Sequence, residues 1–558
     1  MARRPETAGR GGGGVPPRED GSRPWGGPAN PPAPLWIALQ LPQLALEAFA
    51  ATLPPQRQGL PLALLDGARL AAVDPLAAAA GLQPGMKRAT AVALAPRTVF
   101  GQADAAREAQ ARQAVAHAAL AFTPSVALHG RDGVLLEVST TQRAFGGLPR
   151  LIEQLQAATA PLGLSCRLAT APTATGAAIL ACWPKLAIPL IGEHTHRLQA
   201  LKELIDDAPV SLLPHAAGHI ESLQAMGLST LAQLRAVPRD GLARRFGPQL
   251  LAEIDAAHGP VPEVHEWVTL PDRFEARLEL FARADTAEQV LYGARLLLER
   301  LLAWARARRG RLRRLQLQML HEPRHRHDDR TPERSTLEIA LAEPGNDSAH
   351  VTTLLREHLA RMPLPAPTLE LRMVCHELAF SDAPSGELFP TRTSEREGLL
   401  RLVERLQARL GPQCVRRVQP VADHRPERST LLLPIEPSSV RPQAGAAVAG
   451  TVATAAAAGI AGPSSPMLTR PVWLLPTPQP LVERRSVPWL EGRPLQVLAG
   501  PERIEAGWWD GEPVARDYFV AQAHDGSVVW IYRSRLPGGG EDPGPAAAGG
   551  WFLHGRFA

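Results

Sequence analysis

A run of five apolar residues near the start of the chain constrains its fold more than any other feature. Leu35-Trp36-Ile37-Ala38-Leu39 contains no polar residue, and apolar residues continue at helical spacing as far as Phe49. Such a run is stable only when it is shielded from water, so we predict a buried strand that leads into an amphipathic helix. Ala38 and Gln40 occupy the end of this strand, where many enzymes place a catalytic carboxylate.

Length and composition predict a largely globular protein. The 558 residues are 45% hydrophobic and 21% charged, enough for three or four domains. The four cysteines form no CxxC pair, which predicts reduced thiols and a cytoplasmic location. Residues 1–33 are rich in Gly, Pro and Arg and lack the apolar stretch of a secretory signal, so we expect a disordered extension.

The uncharged stretch at residues 444–466 admits two interpretations. It is long enough to span a membrane, but Ala, Gly and Thr dominate it and large apolar residues are nearly absent. Because these small residues gain little on transfer into lipid, we favour a low-complexity linker, within a region at 381–466, and expect no membrane contact.

Three regions with different periodicities precede this linker. Residues 34–185 alternate strands and helices, and the "VALHGRDGVLLEVS" stretch predicts two strands joined by a turn. Residues 186–262 are helical, with turns expected at Gly227 and between Pro238 and Gly241. They fit either helix-hairpin-helix units, whose N–H groups suit DNA phosphates, or an ordinary helical bundle. Residues 268–380 predict the order βαββαβ.

An arginine cluster lies where the first helix of the βαββαβ region gives way to its second strand. Its members are Arg306, Arg308, Arg309, Arg311, Arg313 and Arg314. They form either the solvated end of a helix or a surface that binds DNA phosphates. We favour the second interpretation because no acidic residue interrupts the run.

The segment at 467–558 is a predicted β-rich module with many aromatic residues. It holds six of the eleven Trp and two of the three Tyr of the chain, and Asp525-Gly526 predicts a hairpin turn. Large aromatic side chains are typical of interface hot spots, although some must fill the module's own core. The predicted partner-binding residues are Trp508, Trp509, Tyr518, Phe519, Trp530 and Trp551.

Taken together, the regions from residue 34 to about 380 resemble the Y-family translesion DNA polymerases, with palm and fingers, thumb and little finger. The segments "GLQPGMKRATAVALAPRTVF" and "LARRFGPQLLAEIDAAHG" are similar to the family's fingers-to-palm and thumb segments. The resemblance implies an α/β and α+β multidomain right hand, followed by the β-rich module.

A narrower resemblance comes from both ends of the chain. "LWIALQLPQLALEAF", "GPERIEAGWWDGEPVARDYFV" and "WFLHGRFA" are similar to the ImuB family of bacterial mutasome cassettes. That family is regarded as polymerase-shaped but non-catalytic. Its resemblance implies an ImuA-like partner and an error-prone DnaE-type polymerase, in damage-induced mutagenesis at the nucleoid.

The residues agree with a non-catalytic role. A polymerase holds two metal ions with several carboxylates. The resemblance places Ala38 and Gly133 at two carboxylate positions and leaves Asp132 as a vestige, and a lone Asp cannot hold two Mg²⁺ ions. It also places Pro75 and Ala78 where the family holds the triphosphate with Tyr and Arg. Gln43 stands at the family's aromatic steric gate, and the palm triphosphate Lys has no counterpart in "LATAPTATGAA". We therefore predict no catalytic residue, no cofactor and no metal.

Two short motifs outside the polymerase-like core remain. "SGELFP" resembles ligands of the bacterial sliding clamp, with Glu387, Leu388 and Phe389 as predicted contacts, or it is a simple loop anchor. "HEPRHRHDDR" offers His321, His325 and His327 as metal ligands, which we disfavour because it is a polar loop between strands.

The leading hypothesis is a non-enzymatic adaptor that binds primer-template DNA with little sequence preference and recruits the polymerase, the ImuA-like protein and the clamp. The alternative is an active, divergent Y-family polymerase, which the missing carboxylates and triphosphate contacts disfavour. A third hypothesis is a DNA-binding structural protein without a polymerase partner, which the aromatic C-terminal module disfavours.

Overall fold

The computed structural model describes residues 33–184, 197–259, 261–323, 332–380, 392–435, 470–471, 473–535 and 550–557. Tertiary contacts divide the chain into two compact units. The first runs to Ala282 and includes Tyr292–Gly310, and the second comprises Arg283–Leu291 and the chain from Arg311 onward.

The predicted α/β region is a sheet covered by helices. Its elements are β1 (Trp36–Gln40), α1 (Leu44–Ala50), β2 (Leu62–Asp66), β3 (Arg69–Val73), α2 (Pro75–Ala79), α3 (Arg88–Leu94), β4 (Val99–Gln102), α4 (Ala105–Ala119), β5 (Val126–His129), β6 (Gly133–Glu137), α5 (Leu148–Thr159), β7 (Arg167–Ala171) and α6 (Ala174–Cys182). The main sheet has the order β5-β6-β1-β7, and a smaller sheet has the order β3-β2-β4. β1 is thus an inner strand, as its apolar run predicts.

Both faces of β1 are covered by apolar layers. Ile37 and Leu39 point into a core with α1, α4 and α5. Trp36 and Ala38, on the opposite face, join a second core with α6 and with the helices that follow it. Alternate side chains of a strand point to opposite faces of the sheet, so only an uninterrupted apolar run satisfies both cores.

The helical region shares this second core. Its helices are α7 (Leu198–Asp206), α8 (Ile220–Ala225), α9 (Leu231–Arg235), α10 (Arg239–Phe246) and α11 (Pro248–His258). Gly227 lies between α8 and α9 with φ +76°, which confirms the first predicted turn. The second turn ends earlier than predicted, because Pro238 is the N-cap of α10 and Gly241 lies within that helix.

The predicted βαββαβ order is confirmed. The elements are β8 (Phe274–Ala284), α12 (Ala287–Ala307), β9 (Arg311–His321), β10 (Arg334–Gly345), α13 (Ser348–Arg361) and β11 (Thr368–Ala379). The four strands form a sheet in the order β10-β9-β11-β8. β9 pairs antiparallel with both β10 and β11, which makes it an inner strand of the second unit.

Part of the region that we predicted as tail and linker is folded. It contains α14 (Arg392–Leu410), β12 (Arg416–Pro420) and β13 (Thr430–Pro434). α14 packs on α13, where Nε2 of His350 lies 2.7 Å from Oε2 of Glu404. The uncharged stretch at 444–466 lies outside the described residues. In the described parts of the chain, no helix has the length and apolar character needed to cross a membrane.

The C-terminal module is a seven-stranded antiparallel sheet, as its β-rich pattern predicts. Its strands are β14 (Trp473–Arg484), β15 (Val487–Leu490), β16 (Arg493–Pro494), β17 (Gln496–Ala506), β18 (Val514–Gln522), β19 (Val528–Ser534) and β20 (Trp551–Arg556). Their order is β16-β15-β14-β20-β19-β18-β17. The hairpin between β18 and β19 turns at Asp525-Gly526, where Gly526 has φ +87°, so this prediction is confirmed.

Candidate functional site

Ala38 lies in the middle of β1 rather than at its end. It pairs with Leu135 on β6 and with Ala169 on β7, and it is 2% exposed. Its neighbours on this face are apolar side chains of the core shared with α6. A carboxylate at this position would be removed from water without a described cation beside it, which is costly for a charged group.

The conformation of the turn before β6 depends on Gly133. Gly133 pairs with Gln40, and the backbone oxygen of Asp132 accepts a hydrogen bond of 2.9 Å from the N–H of Leu41. A Cβ atom added at Gly133 would lie 2.8 Å from the carbonyl oxygen of His129, too close without a backbone shift. The structure therefore places Asp132 beside a position that does not accept a larger side chain in this conformation.

The residues that the resemblance places at nucleotide-binding positions are small or half-buried. Pro75 and Ala78 lie on the exposed surface of α2, a helix of five residues that Asp74 caps at its N-terminus. Gln43 precedes α1 and is half-buried. None of these three side chains can supply a cation to a triphosphate.

A segment between the predicted domains, Glu263–Trp267, covers part of the main sheet. The Glu263 carboxylate accepts hydrogen bonds from the N–H groups of Ala174 and Thr175, at 2.8 and 3.1 Å, and thereby caps α6. The ring of Trp267 stacks on Trp36 at a centroid distance of 6.2 Å. The signal for this contact was present in the sequence as "EVHEWV", but periodicity does not reveal which strand a connecting segment crosses.

Burial determines the charge of His129, the last residue of β5. It lowers the pKa of His129, and the nearby carboxylates of Glu263 and Asp132 oppose this effect without cancelling it. His129 is therefore neutral at pH 7 and adds no cation beside Asp132.

The arginine cluster is divided between the two units. In the first unit, Nη1 of Arg308 donates 2.7 Å to the carbonyl oxygen of Pro271 and lies 3.3 Å from the Asp272 carboxylate. Arg306 and Arg309, near the end of α12, make no ion pair with any carboxylate that the structure describes. Arg309 is exposed and has φ +53°, the conformation that ends the helix.

In the second unit, β9 carries the other three arginines. Arg313 lies 3.3 Å from a Glu377 oxygen, and Arg314 lies 3.0 Å from a Glu338 oxygen. The run is thus free of acidic residues in sequence but not in space, because the neighbouring strands supply them. Arg311 makes no ion pair within the described part of this unit.

The aromatic residues of the C-terminal module fall into two groups. Tyr518 and Trp530 are fully buried, and their rings stack at 4.0 Å. Trp551 is 6% exposed and packs on the half-buried Phe519 at 5.1 Å. These four side chains pack in the module's own cores, so burial within the module accounts for them without a partner.

The second group is a pair of exposed tryptophans in the loop between β17 and β18. Trp508 is 78% exposed and Trp509 is 51% exposed, and their rings meet edge to face at 5.2 Å. The loop is called the tryptophan loop below and comprises Gly507–Glu512. Gly507 has φ +83°, and a Cβ there would collide with the Glu512 backbone, so the loop requires this glycine.

A buried arginine from outside the module holds the tryptophan loop. Arg425, between β12 and β13, is 2% exposed, and its Nη2 lies 2.5 Å from Asp510 and 2.7 Å from Asp423. Its Nη1 donates to the carbonyl oxygen of Glu512 at 3.1 Å, and its guanidinium lies 5.6 Å from the ring of Trp509. The hydrogen bond from Arg425 lowers the pKa of Asp510 to about 2.

The remaining predicted residues give no assembled site. Glu387, Leu388, Phe389, His325 and His327 lie outside the described residues. His321 is buried, and its Nε2 lies 2.7 Å from the Ser335 hydroxyl. Over the described residues, no group of three or more His, Cys, Asp or Glu side chains could hold a metal ion.

Comparison with known proteins identifies a matching family model and similar proteins. Residues 46–181 match the impB/mucB/samB family. The chain is 28% identical over 501 residues to "Protein ImuB" of Caulobacter vibrioides, in each of two strains, covering 86% of this chain and all of the relative. The chain is therefore similar to ImuB over most of its length, which confirms the predicted resemblance.

Two solved structures are similar in structure to part of this chain. A Dbh ternary complex gives a TM-score of 0.35 at 15% identity, covering 61% of this chain and 98% of its own. DinB from Sulfolobus solfataricus gives 0.33 at 15% identity, covering 62% and 100%.

Restoring a carboxylate at Ala38 should destabilise the first unit. Because the site is apolar and 2% exposed, we expect Ala38→Asp to lower the free energy of unfolding by about 3–5 kcal/mol. Ala78→Asp introduces the same group on the exposed surface of α2 and should change it by less than about 0.5 kcal/mol. Denaturant titration measures both, and equal stabilities would show that Ala38 tolerates a charge.

The contact of Arg425 with Asp510 should make the second unit sensitive to acid. The folded pKa of Asp510, about 2, lies below its ordinary value of 3.8, so its stabilisation is complete above pH 4 and is lost toward pH 2. We expect Arg425→Met to lower Tm near pH 6, and its difference from the wild type to shrink as pH falls. Arg484→Met removes an arginine that stacks on Trp489 and makes no described ion pair, so its difference should not follow this pH dependence.

Proposed function

We propose that this chain is a non-catalytic, DNA-binding adaptor of translesion synthesis. In this role it links an error-prone DnaE-type polymerase and an ImuA-like protein to the sliding clamp at damaged DNA. The impB/mucB/samB match and the ImuB relative support a role in translesion synthesis. The finer assignment, of an adaptor without chemistry, rests on residues of this chain.

The burial of Ala38 is the observation that carries the proposal. Two-metal phosphoryl transfer needs carboxylates that reach a solvated cavity where Mg²⁺ ions and a triphosphate can meet. Ala38 instead contributes a methyl group to an apolar core. The strand is retained because both cores depend on it. It carries no carboxylate that could bind the metal ions used by the polymerase family.

The competing hypothesis is an active polymerase that has moved its metal ligands. Asp132 would then be its main surviving carboxylate. It stands next to Gly133, whose surroundings leave no room for a second one, and His129 beside it is uncharged at neutral pH. The exposed Pro75 and Ala78 likewise offer nothing that binds a triphosphate. These features are independent of one another, so they favour the adaptor together.

A primer-extension assay tests the proposal directly. The purified chain should not extend a primer with Mg²⁺ or Mn²⁺, even by one nucleotide, because it cannot hold two metal ions. Asp132→Ala should behave like the wild type in this assay. Extension that disappears in Asp132→Ala would establish the polymerase hypothesis and refute ours.

DNA binding should depend on the arginines of β9, although two of them pair with glutamates. A DNA phosphate can replace those glutamates, and Arg311 is already without a carboxylate partner in the described structure. We expect the triple variant Arg311→Gln, Arg313→Gln, Arg314→Gln to reduce the slope of log K against log salt by up to about 0.9 per lost duplex phosphate contact. Sequence preference should stay low in both proteins.

A control with the same loss of charge separates local contacts from net charge. Arg401, Arg405 and Arg409 are exposed on α14 in the same unit. Their triple replacement by Gln should leave the slope unchanged if β9 binds the phosphates. Equal changes in the two triple variants would mean that the cluster is only a solvated surface.

Recruitment of the protein partners is assigned to the tryptophan loop. Two adjacent, exposed indole rings on a loop that the buried Arg425 holds form an ordered apolar patch, which is what interface hot spots use. This feature favours an adaptor over a structural DNA-binding protein without a polymerase partner. Sliding-clamp binding is assigned to Leu388 and Phe389, with Glu387 beside them, on the strength of their motif alone.

We expect Trp508→Ala with Trp509→Ala to abolish co-precipitation of the ImuA-like protein or of the DnaE-type polymerase while DNA affinity is retained. Trp473→Ala is the matched control, because Trp473 is 72% exposed on β14 of the same sheet and lies outside the loop. Retention of both partners by the double variant, or equal loss in the control, would place the contact elsewhere.

A further inference from the structure

A cavity in the first unit is lined by a buried arginine to which the proposed function gives no role. It has a volume of about 220 Å³ and lies among α4, the start of β8 and α12. Its lining residues are Gln110, Gln113, Ala114, His117, Phe274, Glu275, Ala276, Arg277 and Arg300. All of them belong to the same compact unit.

Arg300 is the unusual member of this lining. It is 7% exposed, and its guanidinium makes no ion pair or hydrogen bond with any group that the structure describes. Burial lowers its pKa to about 10, with no carboxylate contributing, so the side chain remains a cation at pH 7. A buried cation without a counterion is strongly unfavourable, and it therefore calls for an anion from outside the chain.

The other polar groups of the cavity suit an anion that accepts hydrogen bonds. Gln113 and Gln110 carry amide donors, and Nε2 of Gln113 lies 3.1 Å from Nε2 of His117. Burial lowers the pKa of His117 to about 4, so this ring is neutral at pH 7 and adds no positive charge to the cavity. Arg277, which is exposed, adds a second cation to the lining.

One acidic residue, Glu275, belongs to the lining and limits which anions fit. It is exposed, and no carboxylate, Glu275 included, contributes to the pKa of Arg300. Two cations against one carboxylate leave a net positive lining. The volume is below the roughly 300–1,000 Å³ of drug-sized ligand pockets, which favours a compact anion.

We propose that this cavity binds a phosphate group, with Arg300 as its principal ligand and Gln110, Gln113 and Arg277 as supporting donors. Guanidinium groups bind phosphate oxygens in a bidentate manner, which matches a planar side chain that lines a small cavity. The phosphate is either a free anion, such as phosphate or pyrophosphate, or the terminal phosphate of a DNA strand. The site is separate from the β9 arginines and does not depend on the adaptor proposal.

The test uses the full-length chain and two single variants on the same helix. Arg300→Met removes the buried cation, and Arg295→Met removes an exposed cation of α12 as a matched control. Isothermal titration with sodium phosphate and with pyrophosphate, at constant ionic strength, measures binding. We expect saturable binding by the wild type and by Arg295→Met, and a dissociation constant at least about ten-fold weaker for Arg300→Met.

Thermal unfolding gives a second readout with an unusual sign. Because Arg300 has no described partner, Arg300→Met should raise Tm in phosphate-free buffer, and it should abolish the increase in Tm that phosphate gives the wild type. A lowered Tm in phosphate-free buffer would show that Arg300 is already satisfied, and it would overturn the proposal.

Competition identifies the source of the phosphate group. A 5′-phosphorylated oligonucleotide is compared with the same oligonucleotide bearing a 5′-hydroxyl. Stronger competition with pyrophosphate by the phosphorylated strand supports a DNA terminus, and equal competition supports a free anion. Absence of saturable binding to the wild type, or equal binding by Arg300→Met, would overturn the proposal.

Discussion

The burial of β1 on both faces is the constraint on which the rest of the first unit depends. One face of the strand contacts α1, α4 and α5, and the other contacts the core that α6 shares with the helices up to α11. Deleting large apolar side chains from such a position typically costs about 2–5 kcal/mol, a large fraction of the stability of a domain. Folding of the first unit therefore requires an apolar strand at this position, and the methyl group of Ala38 meets that requirement.

The elements that local sequence patterns specify were predictable. The apolar run of β1, the βαββαβ order and the Asp525-Gly526 hairpin all follow from periodicity and turn chemistry, which act over a few residues. Helix ends were less certain, as Gly241 shows. Proline at 238 caps α10, so the helix begins before the glycine that the sequence offered as a turn.

The parts that could not be predicted depend on contacts between distant residues. Arg313 and Arg314 are free of acidic neighbours along the chain, yet strand pairing brings Glu377 and Glu338 within ion-pair distance. Likewise, nothing local separates Trp530, which fills a core, from Trp508, which is exposed in a loop. Alternation along a strand indicates two faces, but only the complete sheet determines which face is covered. Sequence patterns therefore indicate which residue types could form the candidate site, but not which of these side chains are exposed and unpaired.

The contacts of Arg425 join two segments that we predicted as separate parts of the chain, the region at 381–466 and the C-terminal module. Its segment was predicted to belong to a tail and linker, but its guanidinium binds Asp510 and the Glu512 backbone of the tryptophan loop. Arg425 is buried, whereas Asp510 is exposed, so it is the arginine that fixes the loop through its contacts with the Asp510 carboxylate and the Glu512 carbonyl oxygen. The loop that presents Trp508 and Trp509 is consequently a joint product of the hairpin β12–β13 and the C-terminal sheet. A partner that binds these tryptophans would contact a surface whose shape depends on residues about 85 positions apart in sequence. The tryptophan loop is therefore complete only with the β12–β13 hairpin.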